Sequence, residues 1–384
     1  MSDSWAGPLA GIRVVELAGI GPAPFASLLL AELGAEVIRV DRPGGSELKA
    51  TPSSGLDRSR PNIAVNLKSK QGRDVVLRLV AEADILIEGN RPGVTERLGI
   101  GPDVCLERNP KLIYARMTGW GQEGPLSHTA GHDINYAAIS GALHTSGTHE
   151  KPMQAVNLIA DFGGGTLYLI IGVLAALQER TRSGRGQVID VAMVDGAASL
   201  VTMLYGLMAN GGWRDERQVN LLDGGAPFYD TYRCSDGKYV AVGAIEPQFY
   251  SALLDGLGLV LEGGQMDQAL WATHREAFEQ SFGERTRDEW AELFANTDAC
   301  VAPVLSLTEA PMHPHMAARA TFADLNGSPS PKVAPRFSRT PGLEPIPPHA
   351  VGQDTETSLQ DWGFAPDEIR LLIEAGAVFQ STAN

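Results

Sequence analysis

The stretch from residue 12 to residue 43, IRVVELAGIGPAPFASLLLAELGAEVIRVDRP, determines the predicted fold. It begins with a β-branched run that ends in a glycine-containing turn, continues into an apolar run typical of a helix, and ends in a second apolar run, EVIRVD. Strands buried on both faces read as nearly continuous apolar runs, so this order predicts a βαβ unit in a parallel sheet. Strand and helix patterns go on alternating over roughly the first 200 residues, which predicts a doubly wound α/β domain.

The turn of this unit, AGIGPAPF, partly resembles a dinucleotide-binding fingerprint. Gly19 and Gly21 stand at the first two glycine positions, and Asp41 follows about twenty residues later. Pro24 takes the third position, where glycine allows close packing of helix on strand. A nicotinamide or flavin site is therefore only a minor alternative.

Length and composition set limits on function. A chain of 384 residues is too long for one ordinary core and suggests about two domains. A net charge of −15 argues against binding to nucleic acid or anionic membranes, because such proteins normally present a basic face. The longest apolar run, at 167–177, is about half of the ~20 residues that span a bilayer, so it predicts a buried helix and no membrane partner.

Two features favour a cytoplasmic protein with reduced thiols. The first residues, MSDSWAGPLAG, lack the basic and apolar segments of a secretory signal. The three cysteines, at positions 105, 234 and 300, are widely spaced and form no CxxC pair.

The alternation of strands and helices breaks at Asn210. Residues 228–245 read as two strands around Asp236-Gly237, a strong hairpin signal, and helical patterns follow to residue 295. Nine of the 24 prolines lie between positions 311 and 348, where no regular element is predicted. This segment is either disordered or wraps back over the first domain, and we favour the wrap.

These observations predict a domain organisation with two parts. The prediction is a large α/β domain at 1–192 and 330–384, a linker at 193–222, a small α+β domain at 223–297, and a second linker at 298–329.

The candidate acid/base groups lie in the stretch from residue 131 to residue 165, GHDINYAAISGALHTSGTHEKPMQAVNLIADFGGG. His132 and Asp133 precede one helix pattern, and Asp161 precedes a longer one. Either aspartate could be only an N-cap, because a carboxylate accepts from the free N–H groups of a first turn. However, the glycines at 163–165 favour a close approach of another group, and a helix N-terminus favours neutral His132, a candidate base. The sequence thus predicts two acid/base groups and oxyanion donors at two helix N-termini.

Basic residues recur near the predicted strand-to-helix turns. In an acidic protein this repetition suggests a polyanionic ligand such as a phosphorylated cofactor, although any one of them could be an ordinary surface charge. They are Arg42, Arg60, Lys68, Arg91 and Arg97.

Ordered motifs over most of the chain resemble the family III CoA-transferase superfamily and, within it, the branch of α-methylacyl-CoA racemases. The motifs are GIRVVEL, LGAEVIRVDRP, NLKSKQG, EGNRPGVTERLG, LIYARMTGWGQEGP, GHDINY, ADFGGG, GVLAALQER, GAPFYDTYRCSDGKYVAVGAIEPQFY and PRFSRTP. The histidine of GHDINY favours the racemase branch, since the transferases lack a histidine at this position. The resemblance implies a Rossmann-like large domain, a small α+β domain and an interlocked homodimer.

The resemblance also implies that coenzyme A, as part of a thioester substrate, binds to the large domain, with no metal and no prosthetic group. The CoA contacts that it implies are Arg42, Val65, Asn66, Leu67, Lys68, Gly89, Asn90, Arg91, Arg97, Gly131, His132, Asp133, Ile134, Asn135 and Tyr136.

The implied reaction is 1,1-proton transfer at the carbon next to a thioester carbonyl, through an enolate. His132 and Asp161 would act on opposite faces of that carbon, Glu246 would orient His132, and the helix start at Asp133 would hold the enolate oxygen. An apolar surface for the acyl chain could include Met193, Met203 and Met208, although methionines at helical spacing are often ordinary core. Two alternatives stay open: a CoA transferase in which Asp161 is a nucleophile, and a non-catalytic acyl-CoA-binding protein.

Overall fold

The computed structural model describes residues 7–45 and 55–381. The ends of the predicted large domain, 1–6 and 382–384, and its internal segment 46–54 lie outside the described residues. The chain forms two compact units. The first unit consists of Met1–Ser140, Ala155–Leu200 and Ala320–Asn384, and the second unit consists of Gly141–Gln154 and Val201–Arg319.

The described strands are β1 Arg13–Leu17, β2 Glu36–Asp41, β3 Asn62–Val65, β4 Ile85–Glu88, β5 Ile113–Thr118, β6 Gln187–Ala192, β7 Tyr229–Arg233, β8 Tyr239–Gly243, β9 Val301–Pro303, β10 Phe322–Leu325, β11 Ser328–Pro331 and β12 Val378–Phe379. The α-helices are α1 Pro22–Glu32, α2 Lys70–Glu82, α3 Val94–Arg97, α4 Pro102–Arg108, α5 Asp133–Ile139, α6 Tyr168–Ser183, α7 Met193–Leu200, α8 Thr202–Ala209, α9 Pro247–Leu257, α10 Trp271–Phe282, α11 Arg287–Phe294, α12 Pro314–Ala318, α13 Thr355–Asp361 and α14 Pro366–Glu374. A π-helix at Leu158–Leu167 runs into α6, and 3₁₀ turns lie at Ala142–Thr145, Gln268–Leu270 and Ala310–Met312.

The first unit is built on a seven-stranded sheet of order β12-β3-β2-β1-β4-β5-β6. Strands β1 to β6 are mutually parallel, and only β12 runs antiparallel, against β3. The order 3-2-1-4-5-6 is that of a doubly wound Rossmann-like sheet, as the sequence predicted. It reverses between β1 and β4, so a crevice is expected at the carboxyl ends of these two strands.

The apolar runs of the sequence form the centre of this sheet. Val15, Ile38, Ile63 and Leu86 are each fully buried, with helices packed on them, because a parallel sheet is covered on both faces. Ser69 caps the N-terminus of α2, since its Oγ accepts from the Gly72 N–H at 3.0 Å. The alternating pattern therefore predicted the parallel strands β1 to β6 correctly, whereas β10, β11 and β12 of the same unit were not predicted.

Glu16 of β1 explains why the prediction of Arg60 as a ligand-binding residue was wrong. Glu16 is fully buried and is paired with Arg60 at 2.5 Å and with Arg39 at 2.7 Å. A buried carboxylate needs charged or hydrogen-bonding partners. Arg60, predicted as a possible ligand of a polyanion, is itself buried and is used by this carboxylate, so it is not available to a ligand.

The second unit contains the predicted hairpin, β7 and β8, joined by a turn in which Gly237 has a φ of +79°. Strand β9 pairs antiparallel with β8, and helices α9, α10 and α11 belong to the same unit. Its core is aromatic: Phe228, Tyr232 and Phe278 are almost completely buried. The unit therefore has a hydrophobic core of its own.

Two segments lie in a different unit from the one that the predicted domain boundaries gave them. Helix α7 was predicted as the start of a linker, but it packs against the π-helix of the first unit. Residues 141–154, predicted within the large domain, belong to the second unit. Contacts between residues distant in the sequence decide both assignments, and hydrophobic periodicity does not report them.

The proline-rich segment 311–348 was predicted without regular elements, but it contains α12 and the antiparallel hairpin of β10 and β11. After this hairpin the chain runs along the first unit, as the predicted wrap requires. The Leu343 N–H donates to the carbonyl of Glu32 at 2.7 Å, and the Ser59 N–H donates to the carbonyl of Ile346 at 2.9 Å. These backbone bonds replace those of a regular element.

Candidate active site

A cavity of about 480 Å³ lies where the order of the sheet reverses. The turn after β1 contributes Ile20 to Ala23, and the turn after β4 contributes Gly89 to Pro92. The end of β5 adds Met117 and Thr118. All of these residues follow or end a strand at its carboxyl end, where ligands bind in open α/β sheets.

His132 and Asp161 both line this cavity. His132 is the N-cap residue of α5, and Asp161 lies in the first turn of the π-helix. The Asp161 carboxylate lies beside the turn after β1, since a Cβ added to Gly21 would be 3.7 Å from its Oδ2. The predicted convergence of two acid/base groups from two helix N-termini is therefore present.

Asp133 is the link between these two helix starts. Its side chain is buried, and its Oδ1 accepts from the N–H groups of Ala160, at 2.7 Å, and Asp161, at 2.8 Å. Asp133 thus caps the helix that carries Asp161, not its own helix. It does not line the cavity, so its carboxylate positions Asp161 and is not placed to react.

The surroundings of Asp161 favour its protonated form. Burial is the main cause that raises the pKa of Asp161 above its usual range, and the nearby charge of Asp133 adds to the rise. Asn157, whose Nδ2 donates to Asp161 Oδ2 at 3.2 Å, and His132 act in the opposite direction. An aspartate with a raised pKa can serve as an acid as well as a base.

Tyr136 packs against the glycine-containing segments beside the cavity. Its ring meets the ring of Trp120 edge to face, with 4.7 Å between centroids. A Cβ at Gly119 would be 2.2 Å from the Tyr136 ring, and one at Gly131 would be 2.7 Å from it. The motifs TGWG and GHDINY therefore fit together through glycines that leave room for this ring.

The glycines after Asp161 allow the close approach that the sequence predicted, and the group that approaches is a neighbouring helix. A Cβ at Gly164 would lie 2.5 Å from the backbone nitrogen of Ala197, and one at Gly196 would lie 1.9 Å from the Gly164 carbonyl oxygen. The close approach that the sequence indicated is therefore that of α7, a neighbouring helix.

A second cavity of about 280 Å³ adjoins the first, because Ile20 and Asn90 line both. It lies at the carboxyl ends of β1 and β2 and is lined by Arg42 and Leu67 among others. Asp41, at its edge, accepts from Arg39 and from Asn62, which leaves it tied to protein groups and speaks against the nicotinamide alternative.

The two cavities contain part of the predicted CoA site. Gly89, Asn90, Arg91, Gly131, His132 and Tyr136 line the first cavity, and Arg42, Leu67 and Asn90 line the second. Outside both linings lie Val65, Asn66, Lys68, Arg97, Asp133, Ile134 and Asn135. Val65 is fully buried in the sheet core, where it pairs with Val378, so its side chain is not available to a ligand.

The remaining predicted residues divide between the units. Met193, at the start of α7, lines the first cavity. Met203 and Met208 are exposed on α8 in the second unit, and Met208 lines a separate cavity there. Glu246 is exposed at the N-cap of α9, also in the second unit. Its pairing with His132 remains a prediction.

Sequence reasoning missed Ile20, Trp120 and Asn157 as residues of the site. Ile20 is two-thirds exposed, which is unusual for a large aliphatic side chain beside a buried strand. Trp120 follows the end of β5, and this position was a usable signal, because strand ends border the crevice. Asn157 also carried a usable signal, because it precedes Asp161 by four residues and side chains at this spacing meet on one face of a helix.

The apolar run at 167–177 was predicted as a buried helix, but much of its surface is exposed. Among the described residues one helix, Leu158–Ser183, is long and apolar enough to cross a membrane by length and composition, and 33% of its most apolar window is buried. Leu167, Ile171 and Leu174 point outward from it. Over the ranges 7–45 and 55–381, His, Cys, Asp and Glu form no group of three or more that could hold a metal ion.

A doubly wound domain with two acid/base groups at its reversal point fits a known family, and the chain belongs to it: the model of CoA-transferase family III matches residues 9–355. The chain is 49% identical over 369 residues to alpha-methylacyl-CoA racemase of Mus musculus, across 95% of this chain and 96% of that protein. It is 44% identical to the Homo sapiens protein of the same name, with the same coverage. A crystal structure of a CAIB/BAIF family protein from Brucella suis has a TM-score of 0.80 at 26% identity, covering 93% of this chain and 100% of that one.

Proposed function

We propose that the protein interconverts the (R) and (S) forms of 2-methylacyl-CoA thioesters by proton transfer at C2. The observation that carries this proposal is that His132 and Asp161 reach one cavity from two separate helix starts. Inversion needs two groups on opposite faces of the carbon, because a single base returns the proton to the face it left. The names of the mouse and human relatives support the same activity.

The two residues exchange roles with the direction of reaction. In one direction neutral His132 removes the α-proton while protonated Asp161 donates on the other face. In the reverse direction ionised Asp161 accepts and the imidazolium of His132 donates. The pair therefore shares one proton through the cycle, and the raised pKa of Asp161 supports its part as a donor.

The enolate formed between the two transfers needs hydrogen-bond donors at its oxygen. The first turn of α5 begins directly after His132, which lines the cavity, and its N–H groups lie at the positive end of the helix. Donors of this kind are worth roughly 3 to 4 kcal/mol in other enzymes.

CoA binds along the two adjoining cavities. The thioester lies in the larger one, beside His132 and Asp161, and the nucleotide end lies in the smaller one, beside Arg42. The shared residues Ile20 and Asn90 make the two spaces continuous. Arg42 and Arg91, exposed in an otherwise acidic protein, provide the positive charge that the phosphates require.

Two copies of the chain form the active enzyme. The exposed face of Leu167, Ile171 and Leu174 is apolar on a helix that carries a catalytic residue, and contiguous apolar surface of this kind is normally covered. An interlocked homodimer, as the family resemblance implies, would cover this face with the second copy.

The test is chiral analysis of the purified protein with (R)- and, separately, (S)-2-methylacyl-CoA, with and without an added carboxylate such as succinate. We expect both enantiomers to reach the same mixture, whether or not succinate is present. Transfer of CoA to succinate without interconversion would identify the protein as a transferase, and a covalent adduct on Asp161 would then be expected. Tight binding of the thioester with neither reaction would identify a non-catalytic binding protein.

A further inference from the structure

The turn between β4 and α3, residues 89–93, is the part of the main cavity that presents Gly89, Asn90 and Arg91. It begins directly after Glu88, the last residue of β4, whose side chain is fully buried. Glu88 Oε2 accepts from the Asn90 N–H at 2.7 Å. A buried carboxylate thus fixes the backbone of the first residues of the turn.

Arg116 of β5 holds the same turn from its other end. It stands opposite Glu88 in the sheet, and its Nε donates to Glu88 Oε1 at 2.9 Å. Its two terminal nitrogens donate to the carboxylate of Glu96 in α3, at 2.8 and 3.3 Å. One guanidinium therefore joins the residue before the turn to the short helix after it.

We call Glu88, Arg116 and Glu96 the clamp, and each of its ion pairs needs both partners to remain stable. Burial raises the pKa of Glu88, while the Asn90 N–H and Arg116 oppose that rise by stabilising the ionised form. Both Glu88 oxygens are occupied, so the loss of one acceptor leaves a buried donor unpaired. Arg116 itself is 6% exposed and does not line either cavity described here, so it is not a ligand of the substrate.

We propose that Glu88, Arg116 and Glu96 are positioning residues that hold the turn 89–93 in the conformation that binds coenzyme A. This inference rests on the proposed function, because it takes CoA to be the ligand of the turn. In this proposal an ion-pair cluster outside the cavity, buried at Glu88 and Arg116, controls substrate affinity and does not take part in proton transfer.

The main test is Glu88→Gln, with binding of free CoA measured by isothermal titration calorimetry. The amide keeps the shape of the carboxylate but offers one acceptor and one donor, so it cannot accept from both the Asn90 N–H and Arg116. We expect the Kd for CoA to rise about tenfold or more. Glu96→Gln, at a partly exposed position, gives a second variant with a smaller effect in the same direction.

A kinetic readout separates positioning from general damage. In Glu88→Gln, KM for the CoA thioester should rise in step with the Kd for CoA, while kcat at saturating substrate stays close to the wild-type value, because His132 and Asp161 are not part of the turn. The matched control is Glu32→Gln, which breaks another fully buried pair, Glu32–Arg58, away from both cavities. It should lower the melting temperature without changing the Kd for CoA.

The outcomes are distinct from those for the proposed function. If the wild type binds CoA and Glu88→Gln binds it with the same Kd, the positioning role is wrong, whatever reaction the protein catalyses. If the wild type binds CoA without racemising its thioesters, the proposed reaction is wrong and the clamp is still tested by the Kd values. If the wild type does not bind CoA, both are wrong.

Discussion

Asp133 links the helix starts that carry His132 and Asp161, the two residues proposed to act as acid and base. It follows His132 directly in the chain, and its carboxylate accepts from the N–H groups of Ala160 and Asp161. It therefore fixes the position of Asp161 relative to His132 and places a negative charge near the Asp161 carboxyl. The first effect is geometric, and the second contributes to the raised pKa of Asp161.

The electrostatic effect of Asp133 predicts a change in pH dependence for Asp133→Asn. In the direction in which Asp161 is the base, activity falls as the pH drops through the pKa of Asp161, because the protonated form cannot accept a proton. Removal of the neighbouring charge lowers that pKa, so the acid limb of kcat/KM should move to lower pH. The measurement is a pH profile for each enantiomer of the substrate.

A suitable control is Asp103→Asn, since Asp103 is exposed in α4. It should leave the acid limb where it is in the wild type. An acid limb that is unchanged in Asp133→Asn would show that Asp161 does not respond to the Asp133 charge.

Helix packing gives a second prediction, for Gly164→Ala in the π-helix. The added Cβ would lie 2.5 Å from a backbone nitrogen of α7, and backbone atoms cannot move aside cheaply. We expect a loss of about 1–3 kcal/mol in the free energy of unfolding, with lower activity because Asp161 lies one turn away. Urea denaturation followed by circular dichroism measures the change.

The chain offers a matched glycine in α8. A Cβ at Gly206 would have no atom within 4 Å, so Gly206→Ala should raise the free energy of unfolding by up to about 1 kcal/mol. Equal destabilisation by both substitutions would contradict the packing argument, since it would show that the contact with α7 is not what Gly164 serves.

The helices and strands with a clear hydrophobic pattern were predictable from the sequence. Which side chains become neighbours in the fold was not. The runs that became β1, β2 and β4 are apolar enough to be recognised alone, and the Asp236-Gly237 turn fixes the hairpin of the second unit. Whether Arg60 would face a ligand or Glu16 depends on which strands become neighbours. The sequence pattern does not contain that information.

In the candidate site, too, individual residues were predictable and the contacts between them were not. His132 and Asp161 stood out because each precedes a helix, and both line the cavity. The bond from the Asp133 carboxylate to the second helix, and the packing of Gly164 on Gly196, both follow from how the π-helix lies against α5 and α7. These contacts join positions about thirty residues apart and leave no periodic signal in the sequence.

The exposed apolar face of the helix Leu158–Ser183 leads to a prediction about the whole molecule. If a second copy covers this face, Ile171→Asp should convert a dimer into a monomer, because a charge buried at an interface is strongly unfavourable. Size-exclusion chromatography with light scattering measures the mass. Leu371→Asp is the control, since Leu371 on α14 is equally exposed, at 60% compared with 59% for Ile171. A wild-type mass that is monomeric, or unchanged in Ile171→Asp, would contradict the dimer.

The central claim is that His132 and Asp161 act on opposite faces of one carbon. The most direct test is incubation of His132→Ala and Asp161→Ala with each enantiomer of 2-methylacyl-CoA in deuterated water, followed by mass spectrometry and chiral chromatography. Loss of one base should abolish inversion but leave the other base able to exchange the α-proton of one enantiomer. We predict that the two variants retain exchange with opposite enantiomers, whereas the wild type exchanges and inverts both. Inversion by either variant, or exchange of the same enantiomer by both, would contradict the two-base account.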